Sequence, residues 1–311
     1  MQRFHVAECG SHAAINISLM TAFEDSRHLI REDAVIASFF GSPNLIWNGG
    51  RMIHVPYNPS KAKALIELYN AHGIPYRFTF TNPLLTEADL DDYDCNDLLD
   101  FADNGMNECI VYSPILEAYI RENHPKMKLT SSTCKCITDI NEVKAELAKP
   151  YSLVVLDYNF NNDFGKLEQL TPEERLRCEV LSNPVCVPGC KRRADHYRFI
   201  GEQQLHWKEE REKLMRMPPE ERARYTPKEW ECPYRRIDLF HGTYPLWVTP
   251  QLIREKYVPM GFENFKIEGR GANMMMLCEQ FARYFAADGC VDELRYILMN
   301  QALENLQFNA N

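Results

Sequence analysis

The chain has 311 residues, a formal net charge of -9 and 11 cysteines. A net negative charge opposes indiscriminate binding to phosphate backbones, although it leaves room for a local basic patch. The sequence has no run of roughly 18 apolar residues, and residues 1–10 lack the basic, apolar pattern of a signal peptide. We therefore expect a cytoplasmic protein without a membrane span, in which the cysteines are buried, ligating or reactive thiols rather than disulfides.

Short apolar, β-branched segments alternate with helix-like segments along the chain, which is typical of βαβ units and a parallel sheet. The predicted strands are residues 4–8, 34–40, 75–80, 108–113, 128–133, 152–157, 178–182 and 264–267. The predicted helices include residues 60–72, 114–123, 139–147 and 273–286. This order favours a closed, TIM-like (β/α)8 barrel that occupies residues 1–311 as a single domain, with an open doubly wound sheet as the alternative.

One connection is much longer than a crossover between two parallel strands requires. About eighty residues separate the seventh predicted strand from the eighth. Within this connection, residues 203–232 are dense in Lys, Arg and Glu, and two consecutive prolines, Pro218 and Pro219, interrupt the helical pattern. We interpret residues 203–232 as a charged helical insertion with a solvated surface, and we expect that a protein partner binds there.

A Pro/Gly-rich loop after the seventh predicted strand carries two thiols, Cys186 and Cys190. Paired thiolates at such short spacing suit tetrahedral zinc or an iron–sulfur cluster, whereas two unrelated loop cysteines are the alternative. Cys232 ends the insertion and is able to fold back to this pair. Cys134 and Cys136 follow the fifth predicted strand, and either thiol reaches the same face of a barrel. Cys186, Cys190, Cys232 and Cys134 are therefore the candidate metal ligands, and structural thiols that come together by coincidence are the alternative.

Candidate catalytic residues lie just past the ends of the predicted strands, where side chains converge on one face of a barrel. Asp157 follows the sixth predicted strand and Glu268 follows the eighth. His196 lies close behind the paired thiols, and a histidine there is suited to proton transfer or ligation. A histidine that is hydrogen-bonded within a helix start is the alternative for His196.

Candidate substrate-binding residues are three arginines and one asparagine. Arg51 follows the flexible pair Gly49-Gly50, and a guanidinium in such a loop binds carboxylate or phosphate through a bidentate fork. Arg193 and Arg270 are further candidate anion clamps, and Arg270 has the alternative of a structural pair with a carboxylate. Asn183 directly follows the seventh predicted strand and faces the same end of the barrel.

The segment from Asn264 to Arg270, which reads Asn-Phe-Lys-Ile-Glu-Gly-Arg, resembles a signature of the collagenase-like peptidase family of unassigned catalytic type, or peptidase U family. Further stretches that resemble this family lie in the family's order, at residues 129–133, 154–157, 181–190 and 237–239, so the resemblance covers residues 107–286. It implies a TIM-like barrel and, in several members, a four-iron (4Fe-4S) cluster on four cysteines. Those members act in oxygen-independent hydroxylation of transfer RNA, ribosomal RNA or ubiquinone precursors, whereas others are described as peptidases.

Under this resemblance Cys186 and Cys190 match the first two cluster ligands of the family, and Cys232 matches the last. The third ligand has no equivalent in residues 193–197, so either Cys134 completes the site or the cluster is altered or absent. Zinc is the alternative metal. The resemblance predicts an iron–sulfur protein that hydroxylates or otherwise modifies RNA or a small aromatic molecule. A peptidase or other hydrolase and a non-catalytic, zinc-stabilised scaffold are the alternatives.

Overall fold

The computed structural model describes residues 1–8, 10, 12–51, 57–225, 228–233 and 245–308. Parallel strands follow one another around a closed barrel, in which the last strand pairs with the first. They are β1 (Gln2–Ala7), β2 (Ala34–Gly41), β3 (Tyr76–Phe80), β4 (Glu108–Val111), β5 (Lys128–Ser131), β6 (Val154–Val155), β7 (Cys178–Leu181) and β8 (Asn264–Ile267). The predicted TIM-like (β/α)8 barrel is confirmed, and the open sheet is excluded.

Helices lie between the strands and after the last one. They are α1 (Ala13–Asp25), α2 (Pro59–Ala71), α3 (Tyr93–Ala102), α4 (Pro114–Asn123), α5 (Ile140–Leu147), α6 (Phe164–Leu167), α7 (Pro172–Leu176), α8 (Arg193–Leu205), α9 (Trp207–Arg216), α10 (Pro219–Arg222), α11 (Pro250–Leu252), α12 (Val258–Met260), α13 (Met274–Phe285) and α14 (Val291–Phe308). The π-helical turn Ile253–Tyr257 joins α11 to α12. The predicted helix ends differ from the observed ones by at most one residue, because some predicted termini are caps; Asp139, for example, accepts the N–H groups of Asn141 and Glu142.

Side chains of one strand point alternately into the barrel and outward to the helices. The outward Phe78 and Val180 are buried in the main hydrophobic core. Their neighbours Arg77 and Glu179 contact each other, although β3 and β7 are not adjacent strands. A direct contact between non-adjacent strands must cross the barrel interior, so the inside of this barrel carries charge as well as apolar groups.

Glu179 is the centre of a buried ionic cluster inside the barrel. Its carboxylate lies 2.5 Å from Nη1 of Arg77, 2.9 Å from Nζ of Lys266 and 3.6 Å from Nε2 of His5. Burial alone would raise the pKa of Glu179, but the charges of Arg77 and Lys266 hold that pKa well below its usual range. Burial lowers the pKa of His5 to about 3, so this imidazole is neutral. We call these four residues the ionic layer.

The predicted insertion is helical, but its helical structure begins earlier than expected, with α8 at Arg193. α8 docks on the loops after β2 and β3: Asn82 Nδ2 donates to the carbonyl of Gly201 (3.2 Å), and Gln204 Nε2 donates to the carbonyl of Leu45 (3.1 Å). The close approach requires glycine, because a Cβ on Gly201 would lie 2.4 Å from Asn82 Oδ1. α8 therefore covers the carboxyl ends of the strands, whereas the charged α9 lies at the surface.

Residues 226–227 of the insertion and residues 237–239 of the family resemblance lie outside the described residues. Within the part of the chain that the structure describes, no helix is long and apolar enough to cross a membrane. The single-domain extent, the cytoplasmic location and the protein partner at the insertion stay predictions.

The ionic layer generates a stability prediction. In Glu179→Gln the buried Lys266 loses its carboxylate partner, and Arg77 keeps only its ion pair with Glu108 (3.2 Å), so we expect the free energy of unfolding to fall by about 3–5 kcal/mol. Urea denaturation at pH 7 measures this loss. The matched control is Glu122→Gln on an exposed position of α4, for which we expect a change within about 0.5 kcal/mol. Equal stabilities of the two variants would contradict the role given to Glu179.

Candidate functional site

A cavity of about 450 Å³ opens at the carboxyl ends of the barrel strands. Its volume is that of a site for a small molecule. The lining combines basic groups, rings, thiols, amides and one carboxylate, and includes Arg51, Arg193, Lys266, Arg270, Phe40, Tyr158, His196, Tyr197, Trp230, Cys134, Cys186, Cys232, Asn183 and Glu268. The predicted convergence of polar side chains past the strand ends therefore occurs in one cavity, whose basic groups favour an anionic ligand.

Arg193 is buried in the first turn of α8 and is held from three sides. Its Nη2 donates to Asp157, its Nε donates to Cys136 Sγ (3.2 Å), and its guanidinium lies 4.3 Å from the ring centre of Tyr158. The remaining nitrogen, Nη1, is buried and has no hydrogen-bond partner within the described structure. Because Arg193 lines the cavity, Nη1 is a fixed donor that suits an anionic group of a bound molecule.

Asp157 follows β6 and is not among the described residues that line the cavity. Its carboxylate pairs with Arg193 and also accepts from the backbone N–H of Asn159 (2.9 Å). Asp157 therefore orients the guanidinium of Arg193. Its predicted catalytic role stays a prediction.

Arg270 is fixed to the loop after β2 and to strand β3. Its Nη1 donates to Thr79 Oγ1 (2.7 Å) and Asn48 Oδ1 (3.3 Å), and its Nη2 donates to the carbonyl of Gly49 (3.1 Å). These acceptors hold the guanidinium at the cavity wall.

The loop that presents Arg51 packs closely against Arg270. Gly50 has a φ of +72°, and a Cβ there would lie 3.0 Å from Arg270 Nη2 and 3.1 Å from Cys134 Sγ. A larger residue at Gly50 would be strained and would push against both groups. Arg51, the residue after Gly50, lines the cavity.

Glu268 follows β8 and is held through its backbone by Asn183. Asn183 Oδ1 accepts the Glu268 N–H (2.7 Å), and Asn183 Nδ2 donates to the Glu268 carbonyl (3.0 Å). This pair of hydrogen bonds fixes the strand end and leaves the Glu268 carboxylate in the cavity lining. Asn183 thus positions Glu268, and its predicted contact with a substrate stays a prediction.

His196 and Tyr197 reach the cavity from α8. The imidazole of His196 stacks on Trp230, with ring centres 5.1 Å apart and an interplanar angle of 8°. Burial raises the pKa of Tyr197 well above its ordinary value, and the nearby Cys134 and Glu268 raise it further. Tyr197 is therefore a neutral hydroxyl donor near Glu268.

The four predicted metal ligands are only partly brought together. Cys134, Cys186 and Cys232 line the cavity, whereas Cys190 is not among its described lining residues. Burial raises the pKa of the Cys186 thiol. A hydrogen bond from Tyr158 lowers this pKa, and the nearby Cys190 raises it. Among the described residues, no group of three or more His, Cys, Asp or Glu side chains is placed to hold a metal ion. These side chains as placed do not fit a metal cluster, and the ligand and cofactor assignments stay predictions.

Several cavity residues are missing from the sequence-based candidates. The position of Lys266 in the cavity could be predicted from the sequence. Lys266 lies on β8, two residues before Glu268, so the two side chains point to the same side of the strand. Thr81, which follows β3, satisfies the same strand-end rule as the predicted residues. Phe40 and Trp230 give no sequence signal, since only the packing of the strands and the insertion turns these rings toward the cavity.

Comparisons with known proteins find a solved structure that is similar to this chain. No protein-family model and no curated protein matches the chain. A solved structure described as that of the U32 peptidase Mk0906 is similar, with a TM-score of 0.49 and 11% sequence identity; the match covers 86% of this chain and 92% of that chain.

The predicted function, an iron–sulfur protein for oxygen-independent hydroxylation of RNA or a small aromatic molecule, is wrong. That function requires a cluster on converging thiolates, and the described residues contain no group placed to hold a metal ion. The physical reason is that Cys134, Cys232 and the pair of Cys186 and Cys190 lie on different segments, and their positions in the sequence do not determine whether those segments converge.

The buried pair of Arg193 and Asp157 predicts strong energetic coupling. Arg193→Met and Asp157→Leu each leave one buried charge unpaired, so each should lower the free energy of unfolding by about 3–5 kcal/mol. The double variant should lose less free energy of unfolding than the two single variants lose together. Urea denaturation should give a difference, the coupling energy, of about 1–3 kcal/mol.

The exposed pair of Arg216 and Glu212 on α9, with a nitrogen–oxygen distance of 3.2 Å, is the control for this cycle. Its coupling should stay below about 0.5 kcal/mol, because solvent screens an exposed pair. If the losses of unfolding free energy in Arg193→Met and Asp157→Leu were additive in the double variant, this result would contradict the anchoring of the Arg193 guanidinium by Asp157.

Proposed function

We propose that the cavity binds a small peptide or peptide-like molecule and hydrolyses it. One observation carries this proposal: the cavity is lined by a buried, fixed guanidinium, that of Arg193, whose Nη1 has no hydrogen-bond partner within the described structure. A substrate carboxylate satisfies that donor and forms a charge-assisted hydrogen bond. Arg51 and Arg270 add positive charge to the same cavity.

The Glu268 carboxylate is the proton acceptor in this proposal. It takes a proton from a water molecule whose oxygen forms a bond to the carbonyl carbon of the scissile amide. The bond between carbon and nitrogen then breaks, and the leaving amine takes a proton from Glu268 or from His196. The neutral hydroxyl of Tyr197 donates to the oxygen that becomes negatively charged in the transition state.

Cys186 is poorly suited to be the nucleophile. A thiol attacks as its thiolate, and burial raises the pKa of Cys186 above the ordinary value. Little of its thiolate is therefore present at neutral pH. This disfavours a covalent thioester route through Cys186.

The motif that resembles the collagenase-like peptidase family also supports the proposal. Lys266, Glu268, Gly269 and Arg270 all line the cavity. The most distinctive stretch of the sequence therefore contributes the candidate proton acceptor and a cationic group to one site.

Peptide cleavage tests the proposal. The protein is incubated with a defined mixture of short peptides that carry free carboxyl termini, and new amino termini are quantified by mass spectrometry. We expect Glu268→Gln to lower the initial rate by about 10²–10⁴-fold, because the amide cannot accept the proton from water. Glu122→Gln, the exposed control, should retain the rate of the unaltered protein.

Two results would contradict the proposal. One is a Glu268→Gln variant that cleaves as fast as the unaltered protein. The other is a complete absence of cleavage across the mixture by a folded protein that nevertheless binds these peptides.

A further inference from the structure

Lys266 has an unusual position for a lysine, at the boundary between the ionic layer and the cavity. The residue is 6% exposed and contributes to the cavity lining. Its Nζ lies 2.9 Å from Glu179 Oε1 and 3.4 Å from the ring centre of Phe40. The amine is therefore held between a carboxylate and an aromatic face, and its side chain reaches the space in which a ligand binds.

The charges around Lys266 come from several strands. Glu179 of β7 is its direct partner, Arg77 of β3 and His5 of β1 contact the same carboxylate, and Arg270 follows on its own chain segment. Burial, opposed by Glu179 and assisted by Arg77 and Arg270, lowers the pKa of Lys266 to about 8. A substantial fraction of this amine is neutral at mildly alkaline pH, and a neutral, desolvated amine is a nucleophile.

We propose that Lys266 forms an iminium with a small 2-oxo acid that binds in the cavity. The amine nitrogen forms a bond to the carbonyl carbon, the carbonyl oxygen takes up protons and leaves as water, and a carbon–nitrogen double bond remains. An ammonium and a carbonyl thus give an iminium and one water molecule, so atoms and charge balance without an oxidant or a reductant.

The surroundings of Lys266 fit this product. The iminium carries the same single positive charge as the ammonium, so Glu179 keeps its counter-ion in the barrel interior. The carboxylate of a 2-oxo acid is adjacent to its carbonyl, and the Nη1 donor of Arg193 in the same cavity suits that carboxylate. The inference does not depend on peptide hydrolysis, because it requires a reactive amine and no cleaved amide.

Reductive trapping of the full chain tests the inference. The protein is incubated with pyruvate and sodium cyanoborohydride, and adducts are located by peptide mapping. We expect Lys266 to be modified at least about tenfold faster than exposed lysines such as Lys126. The rate at Lys266 should rise to half its maximum near pH 8, because the neutral amine is the reacting form.

Two comparisons separate binding in the cavity from general lysine reactivity. Methyl pyruvate lacks the carboxylate, so the preference for Lys266 over exposed lysines should fall about tenfold. Arg193→Met should lower the pyruvate preference in the same way, whereas Lys126→Arg should leave it unchanged. Because the modified residue is mapped in the unaltered protein, the test does not require a folded Lys266 variant.

An unmodified Lys266 peptide beside labelled surface lysines would overturn the inference, and so would equal preference for pyruvate and its methyl ester. Neither result bears on peptide cleavage, which is measured without a carbonyl compound. Conversely, trapping at Lys266 in a protein that binds the peptides without cleaving them would support this inference and contradict the hydrolase proposal.

Discussion

The carboxylate of Glu179 is the group on which the rest of the structure depends. It joins β7 to Arg77 of β3 and to Lys266 of β8 across the interior of the barrel. A carboxylate buried in this way is costly unless its partners are buried with it, so the three charges stabilise one another as a set. Their arrangement places a cation, Lys266, at the floor of the cavity, where a fully apolar barrel interior would offer no group for chemistry.

The long connection between β7 and β8 supplies the opposite side of the cavity. Gly201 and Gln204 bind α8 to the loops after β2 and β3, and this docking fixes the direction of the first turn of the helix. Arg193 and His196 lie in that turn and reach the cavity from above. The barrel and the insertion thus contribute different parts of one site: the strand ends supply Glu268 and Arg270, and α8 supplies the anchored guanidinium.

The barrel could be predicted from the sequence because alternating strand and helix patterns are local signals. The strand-end rule likewise selected Asn183, Glu268 and Arg270, all of which line the cavity. The convergence of Cys134, Cys186, Cys190 and Cys232 could not be established in this way, since it depends on the paths of separate loops. The anchoring of Arg193 by Asp157 and Cys136 could not be predicted for the same reason, because these two partners lie on other loops. The sequence places Lys266 in the family-like motif but cannot predict its role, since its partners Glu179 and Phe40 lie on strands far away in the sequence.

The central claim is that the cavity holds a fixed cationic donor for an anionic group of the substrate. Isothermal titration of an N-acetylated dipeptide, compared with the same dipeptide as its carboxyl-terminal amide, tests this claim most directly. The account predicts that the free carboxylate binds at least about tenfold more tightly, since a hydrogen bond to a charged group contributes about 1.5–3 kcal/mol, and that Arg193→Met removes the preference. Equal affinities for the two dipeptides would contradict it.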